Sequence, residues 1–219
     1  MKPNLLFEQL DIKAMPQIEV EKMLNVLLLR KRKGYSQFEL SFLMGQRDFY
    51  VRDAENPSHT LIYAVPFTNI FRQIFGCDTK AIVPDINRKL AYSIRILEAT
   101  DESGNTIYRA EKKIEGGNWE LIDNFGPEPK DLILESEEVT ITITEQEIKD
   151  WVTTKFNDGY FDAAKNTVQI LKDCEKELES VVRPLFLADA LKDYTVRKKA
   201  PRLAKKKDGN GRFIFGVER

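Results

Sequence analysis

Hydrophobic residues recur at helical spacing through the first third of the chain. Between Pro16 and Gly34, the residues Val20, Met23, Leu24, Leu27 and Leu28 fall on one helical face, which predicts an amphipathic helix. Its last turn, Arg30-Lys31-Arg32-Lys33, places cations at the negative end of the helix dipole, and Gly34 stops it. Ser36 and Glu39 have the spacing of a capping box, with Tyr35 and Leu40 as a hydrophobic staple, so a second helix starts there. It carries Leu40, Leu43 and Met44 and ends at Gly45. Residues 47–56 predict a third helix with Val51 and Ala54 inward, broken by Pro57 and Ser58. Phe67, Ile70, Phe71, Ile74 and Phe75 predict a fourth, closed by Gly76. Leu40, Met44, Val51 and Ile74 are expected to share one core.

The period then changes to two. Tyr92, Ile94 and Ile96 alternate with Ser93, Arg95 and Leu97, residues 106–114 repeat the pattern more weakly, and residues 119–122 complete a three-stranded meander. The turns fall at residues 101–105 and 115–118, and Gly126-Pro127-Glu128-Pro129 ends the region. A sheet this thin must pack on a helix, on the C-terminal part or on a second copy of itself. Val139, Ile141 and Ile143 alternate with threonines as a further strand. Thr144 and Glu147 form a second capping box, ahead of a helix with Ile148, Trp151, Val152 and Phe156 on one face. Asp162 reads as the cap of a longer helix carrying Ala164, Val168, Leu171, Cys174 and Leu178. Pro184 opens a third with Leu187, Leu191 and Tyr194 on one side. Residues 202–207 and 212–217 flank Asp208-Gly209-Asn210-Gly211, which predicts a hairpin with Phe213, Phe215 and Val217 on one face.

The expected fold is α+β in three parts. Residues 1–80 form an all-helical domain, 81–136 an acidic β-meander region, and 137–219 a C-terminal domain of strand, three helices and hairpin. That last order resembles a winged helix, in element order only.

Of the 219 residues, 42% are hydrophobic, enough to bury a core and exclude wholesale disorder. The net charge of -1 conceals an uneven distribution. Residues 1–80 carry +2, residues 81–194 carry -10 and residues 195–219 carry +7, so the basic end suits an anionic partner and the acidic middle a basic protein. One histidine and two cysteines exclude the usual four-ligand zinc site, argue against a Cys–His catalytic pair and favour a reducing compartment. Gly116-Gly117 has neither the following helix nor the lysine and hydroxyl of a phosphate loop. Glu135, Glu137 and Glu138 read as a solvated acidic run, and no nucleophile, base and orienting group fall together. The expectation is therefore a protein that is not an enzyme and takes no cofactor. The first residues carry acids where a signal peptide needs an apolar run, and no apolar run approaches the ~20 residues that span a bilayer. A cytoplasmic protein with no membrane partner is expected.

The run RKRKGYSQFELSFLMGQRDFYVRDAEN resembles the Cro/repressor-type (XRE-family) helix-turn-helix domain. It has the basic helix end, Gly34, Ser36-Gln37, Glu39-Leu40, Gly45 and Glu55-Asn56 in the family's order without a gap. The resemblance covers residues 18–77 and implies double-stranded DNA as partner. It implies that Gln37 packs on a phosphate, that Arg47, Asp48, Phe49, Arg52 and Asp53 face the major groove, and that Asn56 lies near the sugar-phosphate backbone. The chain departs from the family at Gln46, Asp48, Asp53 and Pro57. Asp48 and Asp53 put carboxylates where DNA brings phosphates, although an aspartate accepts from a cytosine amino group.

The expected function is that of a DNA-binding transcriptional regulator, with a sensing or dimerising middle and a basic C-terminal domain. Lys205, Lys206, Lys207 and Arg212 on the hairpin would neutralise phosphates, joined by Lys198, Lys199 and Arg202 before it. A homodimer is expected, because a single small helix-turn-helix module buries little surface on DNA. The competing expectation is an antitoxin or defence-system adaptor whose helix-turn-helix autoregulates or contacts protein.

Overall fold

The structure, a computed structural model, is described over residues 5–10, 16–84, 94–138 and 142–219. The fold is α+β, with seven α-helices and two antiparallel sheets among the described residues. The chain divides into two compact units whose segments interleave: residues 1–30 with 51–129, and residues 31–50 with 130–219. These divisions differ from the expected boundaries near 80 and 136.

The first unit contains most of α1 (Gln17–Arg32), α3 (Tyr50–Ala54), α4 (Phe67–Phe75) and a 3-10 turn at Thr79–Ala81. Helix α1 buries Val20, Met23, Leu24, Val26 and Leu27. Helix α4 buries Ile70, Phe71 and Phe75, whereas Ile74, expected in the core, is only half-buried. The sheet holds β1 (Glu8–Gln9), β2 (Ile94–Thr100), β3 (Thr106–Lys113) and β4 (Trp119–Phe125) in that order. The meander is as expected, and β1 is a fourth strand too short to leave a periodic signal. Tyr92 and Ser93 lie outside the described residues.

One face of this sheet buries Ile96, Tyr108 and Ala110, and Ile96 stands opposite Ala110. On the other face Arg95 pairs with Glu111 at 2.7 Å and lies 4.3 Å from the Trp119 ring centroid. A fully buried Arg30 donates two 2.8 Å bonds to Glu55 and pairs with Glu128 at 2.9 Å. Burial opposes its charge, but the two carboxylates outweigh that and hold its pKa above the ordinary value. Glu128, in the Gly-Pro-Glu-Pro stretch, thereby ties the end of this unit to α1.

The second unit contains α2 (Gln37–Leu43), α5 (Glu145–Asn157), α6 (Thr167–Leu178) and α7 (Pro184–Thr195). Its sheet places β7 (Phe213–Glu218) between β5 (Lys165–Asn166) and β6 (Arg202–Lys207). Both expected capping boxes form: Ser36 with Glu39 opens α2, and Thr144 with Glu147 opens α5. The core includes Leu40, Leu43, Ile148, Phe161, Ile170, Leu187, Leu203 and Phe215, each at most 3% exposed. Phe42 and Phe215 lie 6.4 Å apart by ring centroid.

Several expectations are corrected here. Helix α3 is five residues long, not the ten of residues 47–56. Asn166, rather than Asp162, caps α6 by accepting from the Gln169 amide at 2.9 Å, and Ala164 is exposed. The physical reason is that Lys165 and Asn166 pair with Phe215 and Ile214, which holds the backbone extended where a helix was expected. The strand expected over residues 139–144 lies partly outside the described residues, and residues 142–144 are not in a strand. The segment over residues 18–77, expected as one unit, is shared: Leu40 and Met44 belong to the second unit, Val51 and Ile74 to the first.

Candidate nucleic-acid interface

Within the second unit the turn after α2 lies against the hairpin. Gly45 has a φ of +65° and its carbonyl accepts the Phe213 amide at 2.7 Å. A Cβ at this position would stand 3.0 Å from the Phe213 carbonyl oxygen and 3.1 Å from Arg212 Cβ. Only glycine meets both demands, the left-handed backbone and the close approach. The glycine that the sequence marks as a helix stop thus also docks the hairpin.

Asp48 follows in the same turn. Lys130 Nζ donates to its Oδ2 at 2.6 Å and lies 4.5 Å from the Phe38 ring centroid. Lys205 Nζ sits 4.2 Å from the Phe213 ring centroid and Lys207 Nζ 5.8 Å, both within cation–π range. Desolvation lowers the Lys205 pKa; the Asp48 carboxylate opposes the change and the Lys130 ammonium adds to it. Asp48 thus lies against the Lys130 ammonium, and its charge also acts on Lys205. Arg47 is exposed in the same turn, and Lys206 projects from the face of β6 opposite that of Lys205 and Lys207.

The hairpin is ordered as expected, with Lys205 opposite Phe215 and Lys207 opposite Phe213. Its tip is organised by Asp208, whose Oδ1 accepts the amides of Asn210 and Arg212 at 2.8 and 2.9 Å. Its Oδ2 accepts from Arg212 Nε at 2.9 Å, so the Arg212 guanidinium braces the turn. Phe213 and Val217 are half-buried while Phe215 is 3% exposed. Arg202 pairs with Glu218 at 2.7 Å, which offsets its charge, whereas Lys198 and Lys199 are exposed.

The residues taken from the helix-turn-helix resemblance are distributed less simply. Gln37, expected on a phosphate, is 3% exposed and so is removed from the surface. Arg47, Asp48 and Phe49 belong to the second unit, whereas Arg52, Asp53 and Asn56 belong to the first. Phe49 is exposed, and Arg52 lies 3.6 Å from Asp53. Asn56 Oδ1 accepts from the Ser58 amide at 2.9 Å and from the Tyr108 hydroxyl at 3.0 Å, so its acceptor is engaged within the first unit.

Sequence reasoning missed Lys130. It is an isolated cation near an acidic stretch, and only folding brings it to Asp48. It also missed the rings of Phe38 and Phe213 as supports for ammonium groups.

Elsewhere in the second unit, a cleft of about 480 Å³ is lined by Phe156, Asn157, Asp162, Pro201, Val217 and Arg219. Its Asp162–Arg219 pair is largely exposed. Glu138, in the acidic run, pairs with Lys33. Among the described residues no group of three or more His, Cys, Asp or Glu is placed to hold a metal ion, and no helix is long and apolar enough to cross a membrane. Cys174 is a buried free thiol.

Comparison with known proteins yields no match: no family model fits the chain, and no curated protein or solved structure matches it.

Proposed function

We propose that the protein is a DNA-binding regulator, cytoplasmic and dimeric, that meets duplex DNA through the turn after α2 and the winged-helix-like hairpin of the second unit. The observation that carries this reading is the junction at Gly45. Two segments far apart in sequence, each singled out for DNA contact, lie against each other there. Lys130 pairs with the Asp48 carboxylate, and Lys205, Lys206 and Lys207 of the hairpin and the exposed Arg47 of the turn add further cations around the junction. Such clusters attract phosphate and steer association. The sheet of the first unit serves sensing or dimerisation in this reading.

The test is a titration of labelled duplex DNA in low salt by fluorescence anisotropy. Wild type should bind, and Arg47→Ala should weaken binding and flatten the dependence of log K on log salt by about 0.9 for the one lost phosphate contact. Failure of the wild type to bind any duplex would remove the reading.

A second reading, an adaptor or antitoxin that contacts protein, is favoured by one observation. All seven residues of α2 are buried, so this helix serves as a packing element. Recovery of a stoichiometric protein partner without DNA in a pull-down from the native cell would support it.

A further inference from the structure

We infer that the cleft of the second unit binds a free amino acid with a large apolar side chain. The ligand is held as a zwitterion, its ammonium on Asp162 and its carboxylate on Arg219. The inference does not rest on DNA binding.

The cleft holds about 480 Å³. That lies within the roughly 300–1,000 Å³ of small-molecule sites. Helix α5 contributes its last two residues, Phe156 and Asn157. The Phe156 ring is fixed by its neighbours. Its centroid lies 4.4 Å from that of Tyr194 and 5.3 Å from the Arg197 guanidinium, and the residue is 8% exposed. Pro201, just before β6, and Val217, in β7, add two more apolar side chains to the lining. An apolar side chain placed among these three leaves water, which is the main gain in binding.

The polar end of the cleft is built by a turn. Asp162 closes the 3-10 turn Tyr160–Asp162, which Phe161 anchors at 0% exposure. Gly159 before it has a φ of +79°, and a Cβ there would stand 3.1 Å from Asp162 Oδ2. The glycine thus leaves the carboxylate its room. Both Asp162 oxygens accept from Arg219 Nη2 at 2.9 Å. A guanidinium has five N–H donors in a fork, and both of these bonds come from one nitrogen, so the fork has donors for a second carboxylate. A carboxylate has about four lone-pair sites, so Asp162 has acceptors for an ammonium as well. Both side chains are more than half exposed and open to a ligand from solvent.

The pair selects by charge. A phosphate or a dicarboxylate would meet Asp162 as a like charge, and an amine without a carboxylate would meet Arg219 as one. An ammonium and a carboxylate carried on one carbon satisfy both neighbours, and the apolar wall then favours a large side chain.

The experiment titrates the full chain at neutral pH with L-phenylalanine and with L-leucine, followed by amide NMR shifts. Saturable binding is expected, with a Kd of about 1 mM or tighter. N-acetyl-L-phenylalanine, which lacks the ammonium, and L-phenylalaninamide, which lacks the carboxylate, should each bind about tenfold more weakly. Glycine, which lacks the side chain, should also bind about tenfold more weakly. Asp162→Asn and Arg219→Gln should each weaken phenylalanine binding by about tenfold. An ion pair this exposed adds little stability, so thermal-unfolding curves of both variants should match that of the wild type. Absence of saturable binding by both amino acids overturns the inference. Equal affinity for the N-acetyl compound overturns it in favour of a peptide C-terminus or a simple acid, and equal affinity for the amide in favour of a peptide N-terminus. Unchanged affinity in both variants overturns it too. Failure of the protein to bind DNA bears only on the reading above.

Discussion

Glu39 ties the start of α2 to the start of α7 within the second unit. Its Oε2 accepts the Ser36 amide at 2.8 Å, its Oε1 accepts the Leu185 amide, and the carboxylate pairs with Arg183, which is 5% exposed. Removing one partner of a buried pair leaves the other charge unpaired, so Glu39→Ala should cost about 3–5 kcal/mol in a urea unfolding experiment at neutral pH. The same residue predicts a pH effect. Burial raises its pKa above the ordinary 4.5, against the pull of Ser36, Arg183 and Leu185. A carboxyl raised in the folded state binds its proton more tightly folded than unfolded. The proton-linked part of its contribution is therefore present in full below about pH 4.5 and is lost as pH rises through the folded value. The stability gap between wild type and Glu39→Gln should be widest near pH 4 and narrow toward neutrality. A gap that widened toward neutrality would refute this. The sequence made Glu39 legible as a capping residue, because its cap lies three positions away. Its hold on Arg183 was not legible, since that partner lies 144 positions on.

The hairpin of β6 and β7 shows the same division within one element. Its turn and apolar face were legible because Asp208, the glycines and the alternation of Phe213, Phe215 and Val217 act over a few residues. Its docking on Gly45 was not. Gly45→Ala adds a Cβ in a left-handed backbone and against the Phe213 carbonyl, and should cost about 1–3 kcal/mol. Amide exchange across residues 202–217 should quicken in that variant. Phe215→Ala should cost about 3–5 kcal/mol, because the ring is 3% exposed. Rapid exchange over the same residues in the wild type would show an undocked tail instead. Helix α3 is shorter than its pattern suggests because the periodic signal, Val51 and Ala54, spans only two inward positions, which a helix of five residues satisfies as well as one of ten.

Across the whole molecule, the interleaving of the two units carries the strongest consequence. Helix α2 lies in the stretch that resembles a Cro/repressor domain, yet its partners come from the C-terminal segment. Thr167 Oγ1 donates to the Leu43 carbonyl at 2.8 Å, Phe42 meets Phe215, and Arg183 meets Glu39. A fragment of residues 18–77 lacks all of these and would expose α2's apolar face, Leu40 at 0% exposure included. Truncating one buried leucine alone costs about 2–5 kcal/mol, comparable with much of a small domain's stability. The fragment should show no cooperative thermal transition by far-UV circular dichroism, while the full chain should. A sharp transition in the fragment would restore the independent domain that the sequence suggests.

The α+β class, the run of helices, both capping boxes and the hairpin turn follow from the sequence, because helix periodicity, caps and turn chemistry act between residues at most a few positions apart. The tertiary structure decided the rest. It moved Gln37 from a surface to the interior, brought Lys130 to Asp48, added β1 and β5 as strands, and divided residues 18–77 between two units. Each of these depends on a partner tens of residues or more away. Burial and charge pairing with such partners are set by which surfaces meet, and a local pattern of hydrophobic and polar residues is equally compatible with several meetings.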